Sequence, residues 1–149
     1  MDQSTEHTVT ATFEITGWEE ATYDEPHEGP KLTRATIAKR FSGPLEGMSV
    51  TELLTAQGEE GRGYVASERV TGALEGRSGT FVLQHGGVGD ATEQRAFGHV
   101  VPGSGTGTGT LRGLRGEAAY AHDEAGSRLT LTFSLAEPAD ATTPRAAAG

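Results

Sequence analysis

Three side chains in this sequence stand where an acid–base reaction could be run: Tyr64, Glu68 and His85. Tyr64, Ala66, Glu68 and Val70 share one face of an extended segment, because side chains on a strand alternate with a period of two. The following segment carries Phe81, Leu83 and His85 at the same period. A turn near residues 75–76 makes the two a hairpin whose paired residue numbers sum to about 151 or 153. Glu68 then faces Leu83 or His85, and Val70 faces Phe81 or Leu83. Either register puts His85 on the face of Glu68, whereas a one-residue bulge would substitute Gln84. The shared surface is largely apolar with a few converging polar groups, which is the composition of a ligand pocket. A carboxyl in such surroundings is expected to have its pKa raised by desolvation and to act as a general acid or base. His85 assists the proton movement and Tyr64 donates a hydrogen bond. Ala66, Val70, Phe81, Leu83, Trp18 and Phe133 are the expected ligand-binding residues. The competing reading turns this face outward, or pairs Glu68 with an arginine inside a filled barrel.

Other chemistries find little footing. His7, His27, His85, His99 and His122 include no pair spaced by three to five residues, so no metal site is expected. With no cysteine there is no disulfide frame, zinc–thiolate site or thiol chemistry. The run from Gly103 to Gly109 lacks the following lysine and the helix start of a phosphate cradle. Ser104 has Pro102 where a nucleophile elbow needs glycine. No cofactor is expected. The net charge of −9 is uneven, since residues 1–30 carry Asp2, Glu6, Glu14, Glu19, Glu20, Asp24, Glu25 and Glu28 with no Lys or Arg. An acidic flank without a basic stripe argues against nucleic acid as a partner.

The elements that must position these residues are short and extended. Period-2 alternation puts Val9, Ala11, Phe13 and Ile15 on one face of residues 8–18. Further strands are expected over residues 32–41, 63–70, 80–84, 95–101, 106–114 and 129–135. Residues 50–56 fit either a strand or a short helix opened by a Ser49–Glu52 capping box, and the flanking glycines favour a strand. Residues 117–120 extend the seventh strand or add a short one. The pattern Gly-x-Leu-x-Gly recurs at Gly43 to Gly47, Gly72 to Gly76 and Gly109 to Gly113. Such glycines suit the corners of a closed sheet, with the central leucine turned to the core. Eight strands with short connections give an all-β fold with little helix, a closed antiparallel barrel just wide enough for packed side chains or one small ligand. Closure also removes exposed sheet edges.

With the strands placed, three stretches carry a family resemblance. They are Phe41 to Gly47, the long run from Tyr64 to Gly86, and Val100 to Gly107 leading into Leu111 to Gly116. The chain resembles, over residues 8–136, a widespread bacterial family of unknown function whose fold is similar to the allene oxide cyclase barrel. The resemblance implies a small barrel with a central cavity, related in shape to lipocalins and to cyclases that fold a reactive substrate in an apolar pocket. It implies no settled reaction.

One domain is expected over residues 1–137, followed by a disordered tail over 138–149. The N-terminus lacks a basic and apolar leader, and no apolar run reaches the length of a membrane span, so a soluble cytoplasmic protein is expected. The leading reading is a cofactor-independent isomerase or cyclase that folds a small, largely apolar substrate by orientation and assisted proton transfer. A lipocalin-like carrier without chemistry is the alternative, and a filled structural barrel is a third. The partner is a small apolar molecule, not nucleic acid or membrane, and a homo-oligomer is compatible with all three.

Overall fold

The computed structural model describes residues 6–102 and 107–135. Eight strands follow one another around a ring in sequence order: β1 (Glu6–Asp24), β2 (Lys31–Ser42), β3 (Leu45–Gln57), β4 (Gly61–Leu74), β5 (Arg77–Asp90), β6 (Gln94–Val100), β7 (Arg115–Asp123) and β8 (Gly126–Ser134). Each pairs antiparallel with the next, and β8 pairs with β1 to close the barrel. The expected all-β barrel is thus present, with most strands longer than the sequence alone suggested. Residues 50–56 lie within β3 and show no helix. Among the described residues, no helix is long and apolar enough to cross a membrane. The tail beyond residue 137 and the serine at position 104 lie outside the described residues.

The interior is built by alternation, and it divides along the barrel axis. At one end Phe41, Leu45, Val70, Leu74, Phe81, Leu83, Leu129 and Leu131 are buried in a single cluster. Leu45, Leu74 and Leu111, the central leucines of the three Gly-x-Leu-x-Gly segments, all belong to it. Those segments sit at chain corners as expected: between β2 and β3, at the β4–β5 turn, and in the connection from β6 to β7.

The third corner differs from its expected form. Residues 106–114 were expected to be strand, but the described part forms a 3-10 turn at Gly109–Leu111. Gly109 has φ of 64°, a left-handed conformation that interrupts any extended run. The turn folds across the barrel end and inserts Leu111 and Leu114 into the core. Its contact with β5 is close: a Cβ on Gly79 would lie 2.0 Å from the carbonyl oxygen of Thr108. Thr108 also donates its N–H to the Thr80 carbonyl, so the segment stands in for a missing strand neighbour. The seventh strand itself is Arg115–Asp123, which absorbs residues 117–120.

The opposite end stays open. The β1–β2, β3–β4, β5–β6 and β7–β8 connections gather there. Their residues include Glu25, Glu28, Glu59, Glu60 and Glu124, which makes this rim acidic. A bulge in β1 alters the mouth. Ile15 pairs with Lys39 and Gly17 with Ala38, so Thr16 is the extra residue. The inserted residue exchanges the faces of the strand. Trp18 and Glu20 therefore follow Phe13 and Ile15 on the interior side.

Candidate functional site

The hairpin register that the site depends on has paired numbers summing to 151. Glu68 lies opposite Leu83, Ala66 opposite His85 and Val70 opposite Phe81, around a turn at Glu75 and Gly76. No bulge interrupts it. The face of Tyr64, Ala66, Glu68 and Val70 points into the barrel, and Glu68 is fully buried midway along it.

Glu68 is held by four donors from four other strands. His85 Nε2 lies 2.9 Å from its Oε1, and Lys39 Nζ donates to the same oxygen at 3.2 Å. The Tyr120 hydroxyl donates to Oε1 at 2.5 Å, and the Ser49 hydroxyl to Oε2 at 2.6 Å. Burial alone would raise the pKa of this carboxyl. The His85 hydrogen bond, the Lys39 charge and the two hydroxyls outweigh burial and hold it at about 2. The sequence-based expectation of a raised pKa is therefore corrected. An apolar wall was foreseen, but an ammonium and three further donors converge where it was foreseen. Glu68 is a fixed carboxylate that orders its neighbours.

The fixed charge sets the direction of the hydrogen bonds around it. A carboxylate only accepts, so the proton between Glu68 and His85 sits on Nε2. Lys39 balances the charge of Glu68, and with the Nε2 hydrogen directed to Glu68 the ring offers Nδ1 as its acceptor position. The Tyr64 hydroxyl lies 2.9 Å from Nδ1 and is the donor to it. The result is a directed chain, Tyr64 to His85 to Glu68. Burial and the nearby Glu68 charge push the pKa of Tyr64 up, and they act in the same way on Tyr120. Both phenols therefore keep their protons at neutral pH. Burial lowers the pKa of Lys39, opposed by its attraction to Glu68. Its ammonium also lies 4.5 Å from the ring centre of Tyr120 and 4.9 Å from that of Phe13.

Above this cluster the open half of the barrel encloses a cavity of about 810 Å³. Lys39, Thr51, Tyr64, His85 and Tyr120 form its polar floor, while Phe13, Ile15, Ile37, Leu53, Val88 and Ala96 supply apolar wall. At the mouth, Glu20 accepts from Trp18 Nε1 at 3.0 Å, Thr33 at 2.7 Å and Gln57 at 3.0 Å. The hydrogen bonds from Thr33 and Trp18 keep its carboxyl below the usual range.

Not every residue expected at a ligand site is near this space. Tyr64, His85 and Trp18 line the cavity, and Glu68 lies behind its floor. Val70, Phe81, Leu83 and Phe133 are instead packed in the closed half, each at most 5% exposed. Val70, Phe81 and Leu83 share a strand face with the site, but the corner segment with Leu111 has already filled their end, where Phe133 of β8 is also packed. Ala66 is opposite His85 in the ladder and lines a separate groove together with Val65 and Phe97.

Sequence reasoning missed Lys39 and Ser49. Lys39 did leave a signal, for it interrupts the inward row Thr33, Ala35, Ile37 and Phe41 on β2. A lysine on such a face needs a buried partner. Ser49 was read as part of a capping box, which concealed its inward direction. Among the described residues, no group of three or more His, Cys, Asp or Glu side chains could hold a metal ion.

Comparison with known proteins agrees with the fold. A crystal structure of a protein of unknown function from the DUF3224 family of Shewanella oneidensis MR-1 is 35% identical, with a TM-score of 0.76. The match covers 90% of this chain and 100% of that one. A search of curated proteins finds no match. Residues 9–135 match the family described as "Protein of unknown function (DUF3224)", and to that family the chain belongs.

Proposed function

We propose that the barrel is a cofactor-independent isomerase or cyclase, similar in architecture to the allene oxide cyclase barrel. A small, largely apolar molecule enters the open end and is held against the polar floor. The observation that carries this reading is the unbroken hydrogen-bonded chain from a cavity-lining phenol, Tyr64, through His85 to a buried carboxylate. In the first step Tyr64 passes its proton to His85 Nδ1 while its oxygen takes a proton from the substrate. Glu68 stabilises the imidazolium so formed. Returning the proton at another position of the substrate leaves its composition unchanged. The cavity wall contributes by holding the substrate in the reactive conformation, an effect worth roughly 7–11 kcal/mol where orientation is ideal.

A generic probe of proton abstraction tests this. 5-Nitrobenzisoxazole is neutral and aromatic, and it opens to a coloured phenolate when a base removes its ring C–H proton. The protein is expected to accelerate that opening above buffer, and His85→Gln to reduce the enzymic rate on the order of 10²-fold with melting temperature retained. Uptake of the probe with no His85-dependent turnover would count against catalysis. It would favour a second reading, a lipocalin-like carrier. That alternative is supported by the low pKa of Glu68, which suits a fixed ion that ties β4 to β2, β3, β5 and β7.

A further inference from the structure

Hydrogen-bond direction at the floor narrows the chemistry of the ligand. Glu68 is surrounded by the Lys39 ammonium, the hydroxyls of Ser49 and Tyr120, and His85 Nε2. Each of these groups gives a hydrogen to Glu68. The Lys39 ammonium faces aromatic rings in addition to Glu68, so it is not presented to the cavity as a bare cation. With the His85 hydrogen on Nε2, the Tyr64 hydroxyl 2.9 Å from Nδ1 directs its single proton there. What Tyr64 presents to the cavity is therefore an oxygen with lone pairs and no proton to donate. Thr51 stands on the same wall and holds a buried hydroxyl oxygen without a hydrogen-bond partner, able to donate or accept.

Charge points the same way. Lys39 and Glu68 cancel, leaving no net positive charge at the floor for an anion. The rim above it carries Glu25, Glu28, Glu59, Glu60 and Glu124, while Arg62 and Arg95 line the cavity below them. An anionic head group would meet Arg62 and Arg95 only at the upper wall and would find no uncancelled positive charge at the floor.

We infer that the cavity takes an uncharged, largely apolar molecule bearing a hydrogen-bond donor, a hydroxyl or enol O–H above all, which is given to the oxygen of Tyr64. At Tyr64 a carboxylate or a head group with acceptors alone receives no hydrogen, so it is held less well there. This rests on the reading of the cavity as a ligand site, and it adds the polarity of the head group that the floor recognises.

Three probes of matched size separate the terms: 4-hexylphenol, its methyl ether 4-hexylanisole, and 4-hexylbenzoate. Each is titrated against a fluorescent apolar reporter bound to the full chain at neutral pH. The phenol is expected to bind about 5–10-fold more tightly than the anisole, the worth of one neutral hydrogen bond, and the benzoate more weakly than either. In His85→Phe the Tyr64 hydroxyl loses its acceptor and is free to donate, so the anisole is expected to close most of the gap. Anisole matching phenol in the unmodified protein, benzoate binding best, or a reporter displaced by none of the three would overturn the inference while leaving the cavity as a binding site. Failure of the reporter itself to enter would remove the ligand-site reading and the inference with it.

Discussion

The two halves of this barrel are lined by the same eight strands and have opposite interiors. In the closed half, leucines and phenylalanines from every side meet, and the segment around Leu111 fills the remaining gap. In the open half, the same alternation yields threonines, two tyrosines, two histidines and a lysine around a cavity of about 810 Å³. The boundary is Glu68, with Val70 and Phe81 on one side of it and Tyr64 on the other. The contrast shows how one small fold divides its labour. A dry, close-packed end supplies the stability, and that leaves the other end unfilled and able to hold a polar network with a directed set of hydrogen bonds.

Substitutions can break this comparison or sharpen it. The largest effects are expected at the boundary and in the packed end. Phe81→Ala should destabilise by about 3–5 kcal/mol in chemical denaturation, because it empties a core site that cannot collapse. Glu68→Ala should cost about 3–5 kcal/mol as well, since Lys39 is then buried without its counter-ion. A boundary variant as stable as the parent would mean that the polar floor contributes nothing to the fold.

Acid tests the same boundary without removing a side chain. The Glu68 carboxyl ionises at about 2 in the folded chain against an unfolded value near 4.5. Its contribution is therefore complete above pH 4.5 and is lost as pH falls toward 2. Asp123, held at about 2 by Arg128, adds to that limb from the surface. Stability measured against pH should keep a shallower acid limb in Glu68→Gln and nearly the full limb in Asp123→Asn. The reverse order would place the pH response at the rim.

A smaller effect is expected where the corner segment seals the closed half. Gly79→Ala sets a methyl group against the Thr108 carbonyl and should cost about 1–3 kcal/mol, with loss of amide protection in residues 107–114. Smallest of all should be Leu53→Ala on the cavity wall, about 0.5–1 kcal/mol, because this half-buried leucine faces open space. The same change should weaken binding of an apolar reporter several-fold. A core-sized loss at Leu53 would erase the distinction between the halves.

Much of the architecture was legible in the sequence. Alternation in Tyr64, Ala66, Glu68 and Val70 and in Phe81, Leu83 and His85, with a turn near residue 75, was sufficient to bring Glu68 and His85 to one face. Both signals are local: side-chain period and turn position fix register together. The three leucine corners were legible for the same reason, because the glycines beside them mark points where the chain must bend.

Only the tertiary structure decided which end of that face is filled and what Glu68 meets. The segment around Leu111 reaches β5 from more than 25 residues away along the chain, so nothing near Phe81 or Leu83 reveals that their end is closed. Lys39, Ser49 and Tyr120 come from three other strands, and together with the His85 hydrogen bond they reverse the pKa shift that burial alone predicts. A pattern along one strand states which way a side chain points, whereas the charge and hydrogen bonds it finds there depend on closure of the ring. Closure is a property of all eight strands at once.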